Sequence, residues 1–103
     1  MIRHHVLLRF KTSVSAETKQ GLYAELKDLQ RHLDGVLDVR TLPNISVEPE
    51  LISGFKDIFW FDFADAQARD AYIADPLHQA IGARILAQIQ GGAAGIIIVD
   101  VEL

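Results

Sequence analysis

The chain opens on a strict alternation. From Ile2 to Phe10, residues His4, Val6, Leu8 and Phe10 fall on one face of an extended segment. Arg3, His5, Leu7 and Arg9 fall on the other, less apolar face, which predicts a first strand. The period then changes to that of a helix: Leu22, Leu26, Leu29 and Leu33 form one apolar stripe. A helix from about Ala16 to Leu33 follows, with Ser15 as its N-cap, Glu17 complementing the dipole and Gly35 as a C-terminal cap. Val36 to Leu42, extending towards Ile45, reads as a second strand, and Pro43 either breaks its pairing or marks a sheet edge. Asn44 to Gly54 is a loop. Phe55 to Phe63 reads as a third strand, with Phe55, Asp57, Phe59, Phe61 and Phe63 on one face and Ile58 and Trp60 on the other. Asp65 caps a helix over Ala66–Ala74, and Asp75-Pro76 interrupts it. A further helix is expected from Pro76 to about Gln90, with His78, Ile81, Ile85 and Ile89 inward. Gly91–Gly95 reads as a flexible connection to a last strand, Ile96 to Glu102.

The resulting order, β-α-β-β-α-β, is that of an α+β, ferredoxin-like fold: a four-stranded antiparallel sheet with its helices on one face. A chain of 103 residues without linker or low-complexity segment is expected to form one domain over 1–103. Helices on one face leave the other uncovered, yet the third and fourth strands are apolar on both sides. Ile58, Trp60, Ile97 and Val99 are therefore expected at a homodimer interface, sheet against sheet.

Charge and composition narrow the partners. A net charge of -4 and a pI near 5.4, with scattered basic residues, argue against nucleic-acid binding. There is no cysteine, which excludes disulfides, thiolate metal sites and cysteine nucleophiles. Neither a signal-peptide pattern nor an apolar run of the ~20 residues needed to cross a bilayer is present, so no membrane partner is expected and the expected location is cytoplasmic. His4 and His5 point to opposite faces of a strand, and His32 and His78 lie apart from them. No metal site and no cofactor are therefore expected. The Gly91–Gly95 segment lacks the lysine and hydroxyl of a phosphate loop.

Chemistry, if present, centres on His78, which points towards the sheet from the first turn of its helix and titrates in the range of a general acid or base. Tyr72 precedes the Asp75-Pro76 break and is placed to present its hydroxyl to the same space. Asp100 shares a face with Ile96 and Ile98, and its strand should run beside the first, bringing it towards His4; it then either orients a histidine or sits solvated near the strand end. His4, Asp57, Phe59 and Phe61 are expected to line a pocket, although antiparallel pairing puts His4 and Asp57 towards opposite ends. The alternative for His78 and Tyr72 is structural: one ties down the helix start and the other fills the core.

Four segments carry a family resemblance. Ile2-Arg3-His4-His5-Val6-Leu7-Leu8-Arg9-Phe10-Lys11, Leu33-Asp34-Gly35-Val36, Gly54-Phe55-Lys56-Asp57 and Tyr72-Ile73-Ala74-Asp75-Pro76-Leu77-His78 resemble, in order, segments of the stress-responsive dimeric α/β-barrel (Dabb) family. The resemblance implies a ferredoxin-like protomer whose sheet pairs with its mate into a dimeric barrel. It also implies that His78, as base, and Tyr72, as hydrogen-bond donor, match positions used by enzymatic members. Some relatives have histidine where this chain has Asp57. Two functions stay open: a stress-responsive dimer that binds a small, largely apolar molecule, and a cofactor-independent enzyme (cyclase, isomerase or monooxygenase-like) with phenylalanines 59, 61 and 63 as pocket walls.

Overall fold

Alternate burial along the first strand organises the molecule. In the computed structural model, which describes residues 1–103, β1 (Ile2–Leu8) buries Ile2, His4, Val6 and Leu8 and leaves the residues between them half-exposed. It is followed by α1 (Ala16–His32), β2 (Val36–Pro43), β3 (Asp57–Phe63), α2 (Ala66–Ala74), α3 (Pro76–Leu86) and β4 (Ile96–Glu102). The strands form one antiparallel sheet in the order β2-β3-β1-β4. This is the ferredoxin-like α+β architecture, with β1 and β3 central and β2 and β4 at the edges. The Leu22–Leu26–Leu29 stripe of α1 and Ile81 and Ile85 of α3 meet Val6, Leu8, Phe59, Phe61 and Phe63 in a single core. No helix is long and apolar enough to cross a membrane.

Several boundaries differ from the pattern-based expectation, each for a local reason. Phe10 and Phe55 are buried but lie outside the regular strands. Phe10 instead forms an isolated bridge with Ile89, flanked by Gln90 N–H donating to Arg9 O at 2.8 Å and Lys11 N–H donating to Gln88 O at 2.9 Å. That pairing ends α3 at Leu86 rather than Gln90 and still buries Ile89. The glycine segment is not a loose connection. Gly92–Gly95 forms a 3-10 turn, Arg9 N–H donates to Gly95 O at 2.9 Å, and a Cβ at Gly95 would lie 2.4 Å from Gln90 O. In β2 a bulge between Val36 and Asp38 turns Leu37 out of register into solvent.

The face of the sheet away from the helices is graded along the strands. Register places Leu42, Ile58, Leu7 and Ile97 in one apolar row across β2, β3, β1 and β4. The next row is Arg40, Trp60, His5 and Val99; the last is Asp38, Asp62, Arg3 and Val101. Arg3 clamps Asp62 through two hydrogen bonds of 2.8 and 3.1 Å and lies over the Trp60 ring. Ile58 and Trp60 are half-buried and Ile97 and Val99 exposed, all on this uncovered face.

Gly35 has φ +80°, and a Cβ there would lie 2.6 Å from Ala68 Cβ. Gly35→Ala is therefore expected to lower unfolding free energy by about 1–3 kcal/mol. Gly21 lies inside α1 with nothing within 4 Å of an added Cβ, so Gly21→Ala should raise it by about 0.5–1 kcal/mol. Urea denaturation of the two variants should move the midpoint in opposite directions.

Candidate functional site

The sheet and helices do not meet along their whole length. A cavity of about 320 Å³ lies between them, floored by His4, Val6 and Leu8 of β1 and Phe59 of β3. Tyr72 and Ile73 of α2 and His78, Gly82 and Ile85 of α3 form its roof, Leu26 of α1 its back, and Ile96, Ile98 and Asp100 of β4 its remaining side. Ile73 (49% exposed) and Ile98 (59%) mark the mouth, between α2 and the β4 edge. The helix-side faces of the strands are apolar for core reasons, so the lining is mostly aliphatic. Its polar groups gather at one end.

Strand register builds the first part of that end. His4 and Asp100 are direct partners across β1 and β4, and His4 Nδ1 lies 2.6 Å from Asp100 Oδ1. The other carboxylate oxygen accepts from Arg69 Nη1 at 3.2 Å. A carboxylate only accepts, so the short contact assigns the His4 proton to Nδ1 and leaves Nε2 as an acceptor in the neutral ring. Burial pushes the His4 pKa below 6.5, opposed by the hydrogen bond and charge of Asp100. His4 is thus a neutral, oriented imidazole near pH 7.

A helix cap builds the second part. Asp75 is the N-cap of α3: its Oδ2 accepts from the His78 backbone N–H at 2.9 Å, while Oδ1 lies 2.9 Å from His32 Nε2. With Pro76 at the first helical position, this sets His78 in the opening turn, its ring stacked on Tyr72 with centroids 3.7 Å apart and planes 30° apart. His78 Nδ1 is buried with no hydrogen-bond partner. Burial lowers the His78 pKa, opposed by the backbone carbonyls of Tyr72 and Ile73, and the nearby His4 lowers it further. Tyr72 is 1% exposed, and burial alone raises its pKa, so it remains a neutral phenol.

The structure therefore brings His4, Tyr72, His78, Asp100 and Phe59 to one cavity. It does not bring Asp57 there. Asp57 pairs with Leu8 at the far end of β1, and its carboxylate is 3.0 Å from Lys19 Nζ, so its expected place in the pocket is corrected. Phe61 and Phe63 are corrected too. They pack behind Tyr72, at 4.6 and 5.2 Å between ring centroids, and fill the core rather than wall the cavity. Sequence reasoning missed Arg69 and the capping role of Asp75. The Asp-Pro dipeptide at a helix start was a legible sign of the second. The first was signalled only by Arg69 lying one helical turn before Tyr72 and Ile73. No group of three or more His, Asp or Glu side chains is placed to hold a metal ion.

Comparison with known proteins places this geometry in context. The model of the Stress responsive A/B Barrel Domain (Dabb) family matches residues 2–103. No curated protein sequence matches significantly. Among solved structures, a dimeric ferredoxin-like protein of unknown function from Jannaschia sp. CCS1 is 30% identical, with a TM-score of 0.88 over 99% of this chain and 98% of that one. An Arabidopsis thaliana protein is 23% identical, with a TM-score of 0.87 over 100% of this chain and 95% of that one. A hydroxynitrile lyase from Passiflora edulis is 14% identical, with a TM-score of 0.82 over 99% and 92%. The last two establish likeness of fold.

Two histidines held neutral, His4 buried and His78 half-buried, make stability depend on pH with a definite sign. Their folded pKa values lie below 6.5, so in mildly acid solution the unfolded chain binds more protons than the folded one. Their contribution is complete above 6.5 and is lost as pH falls through the folded values. Thermal unfolding from about pH 7.5 to about pH 5 should show Tm falling, and a His78→Asn variant should show a shallower fall. An equally steep profile in the variant would remove His78 as a source.

Proposed function

The chain belongs to the stress-responsive A/B barrel domain family, and from that footing we propose that it is a homodimer that binds a small, largely apolar molecule in the cavity between sheet and helices. One observation carries the reading: a largely aliphatic cavity between sheet and helices has His4, Tyr72, His78 and Asp100 gathered at one end. An apolar pocket with a few convergent polar side chains is the usual form of a small-molecule site, the polar end fixing the ligand's orientation. His4 and Tyr72 line the same cavity, their rings 5.5 Å apart. The volume lies at the lower end of the range for small-molecule sites, which favours a compact ligand with one aromatic or branched aliphatic body and one polar head.

The homodimer reading rests on the uncovered face. Ile58, Trp60, Ile97 and Val99 would be hidden by a second sheet, each contributing a part of the ~1.5–3 kcal/mol that burying a fully exposed large apolar side chain is worth, since all four are already partly covered. The Jannaschia relative is described as dimeric. The absence of cysteine fits a cytoplasmic location.

A second reading, catalysis, is favoured by the stacking of His78 on Tyr72 within the cavity. In it, neutral His78 takes a proton from a bound substrate and becomes an imidazolium, and the Tyr72 phenol donates a hydrogen bond to the oxygen on which charge develops. Asp100 acts through His4, whose ring it orients. No metal or cofactor enters this scheme.

Two measurements test these readings. In NMR titrations with a panel of small neutral phenols and aromatic aldehydes, wild type should bind at least one compound, and His78→Ala should bind it roughly tenfold more weakly. Equal affinity in the variant dismisses His78 as a ligand contact. Trp60→Glu should yield monomers or insoluble protein in sedimentation; a stable soluble dimer would take Trp60 out of the interface.

A further inference from the structure

The loop from Asn44 to Gly54 presents apolar side chains to solvent: Val47 is 92% exposed, Ile45 85% and Leu51 69%. The loop is nonetheless built. Asn44 Nδ2 donates to Phe55 O at 2.9 Å and Ser46 N–H to Asn44 Oδ1 at 3.0 Å. Glu48 N–H donates to Ser46 Oγ at 3.1 Å, and Arg9 Nη1 donates to Ser53 O at 3.0 Å. Nothing in its own chain covers the three side chains. The loop leaves β2 just after Leu42, at the apolar end of the open sheet face.

The grading of that face says where a second copy brings this loop. Two sheets that meet face to face with their strands aligned do so about a two-fold axis that runs either across the strands or along them. An axis across the strands lays the charged row on the apolar row, setting Arg3 and Asp62 against leucine and isoleucine. Such burial of charge is heavily penalised. An axis along the strands lays apolar row on apolar row and sets Arg3 over the partner's Asp62, and Asp62 over the partner's Arg3. Charge complementarity and apolar pairing select the second. Sheet twist turns the pair by about 30° without exchanging ends. This axis reverses strand order, so each β2 edge runs beside the partner's β4 edge. The loop that follows β2 then arrives at the Ile96–Ile98 end of β4, where the cavity opens.

We propose that in the homodimer each 44–54 loop wraps the partner's β4 edge and supplies the outer wall of the partner's cavity, so that the binding site is complete only in the assembled protein. This rests on the homodimer and cavity reading above and adds to it the axis and the contributing segment. It accounts for two separate exposures at once: the loop's Ile45, Val47 and Leu51, and Ile98 at the mouth.

The chain has no native cysteine, which makes a clean test available. Val47 lies on the loop that follows one edge strand and Ile98 on the other edge strand, the two edges being about 14 Å apart across three strand spacings, and only a link between two chains yields a covalent dimer. A Val47→Cys/Ile98→Cys variant treated with a short bismaleimide should give covalent dimers, and Val47→Cys/Leu37→Cys should not. With the axis across the strands, the loop would instead approach the partner's Leu37, and the pattern would reverse. In a second measurement, Gly82→Cys places a thiol in the cavity, where an added Cβ meets nothing within 4 Å. Replacing Ile45, Val47 and Leu51 by serine in that variant should speed its alkylation by iodoacetamide on the order of tenfold in protein that sediments as a dimer. A dimer that links only through Leu37→Cys, links through neither pair, or shows unchanged alkylation overturns the proposal and leaves the homodimer standing. Monomers of the wild-type chain in sedimentation overturn both.

Discussion

A four-stranded sheet has two faces, and the helices of this chain cover only one. That asymmetry governs the rest of the molecule. On the covered side it places the leucine stripe of α1 and the isoleucines of α3 over β1 and β3, and this packing is the core. Coverage is incomplete at β4, whose far edge pairs with nothing in the chain and whose residues are largely exposed. The cavity occupies the space that remains. On the other side lies a face that runs from aliphatic to ionic along the strands, with one tryptophan at its middle.

The polar end of the cavity is made by backbone regularities rather than by an elaborate loop. Antiparallel register alone sets His4 beside Asp100. A helix cap alone sets His78 at the head of α3, and a stacked tyrosine completes the group. Sites carried on strands and helix termini hold their geometry better than sites carried on loops. Burial then keeps both imidazoles and the phenol uncharged. Those three rings are therefore neutral hydrogen-bonding groups in a largely apolar setting, with the Asp100 carboxylate engaged by His4 and Arg69.

Much of this was legible from the residues. Periodicity located all four strands and the helices, because apolar spacing reports directly which side of an element meets the core. The approach of Asp100 to His4 followed from strand order alone. Three things were not legible. Strand parity gives a face but not a depth, so Phe61 and Phe63 shared a face with Phe59 while Tyr72 came between them and the cavity. Asp57 had the right parity and stood at the wrong end, held there by Lys19, a long-range ion pair that no local pattern announces. The end of α3 was set by the bridge between Ile89 and Phe10, residues far apart in the chain. Helical periodicity continued past the point where that pairing became the better use of the backbone.

The grip of Arg9 has a further consequence. Its guanidinium donates to Ser53 O and Ala94 O and lies over the ring of Phe55, tying the β2–β3 loop to the turn before β4. A segment held this way has already given up most of its conformational freedom in the lone protomer. In the homodimer proposed above, association would gain from the apolar surface it hides without the ordering entropy that a floppy arm would surrender at that moment. Arg9 does not line the cavity, yet it fixes the shape in which this loop meets solvent.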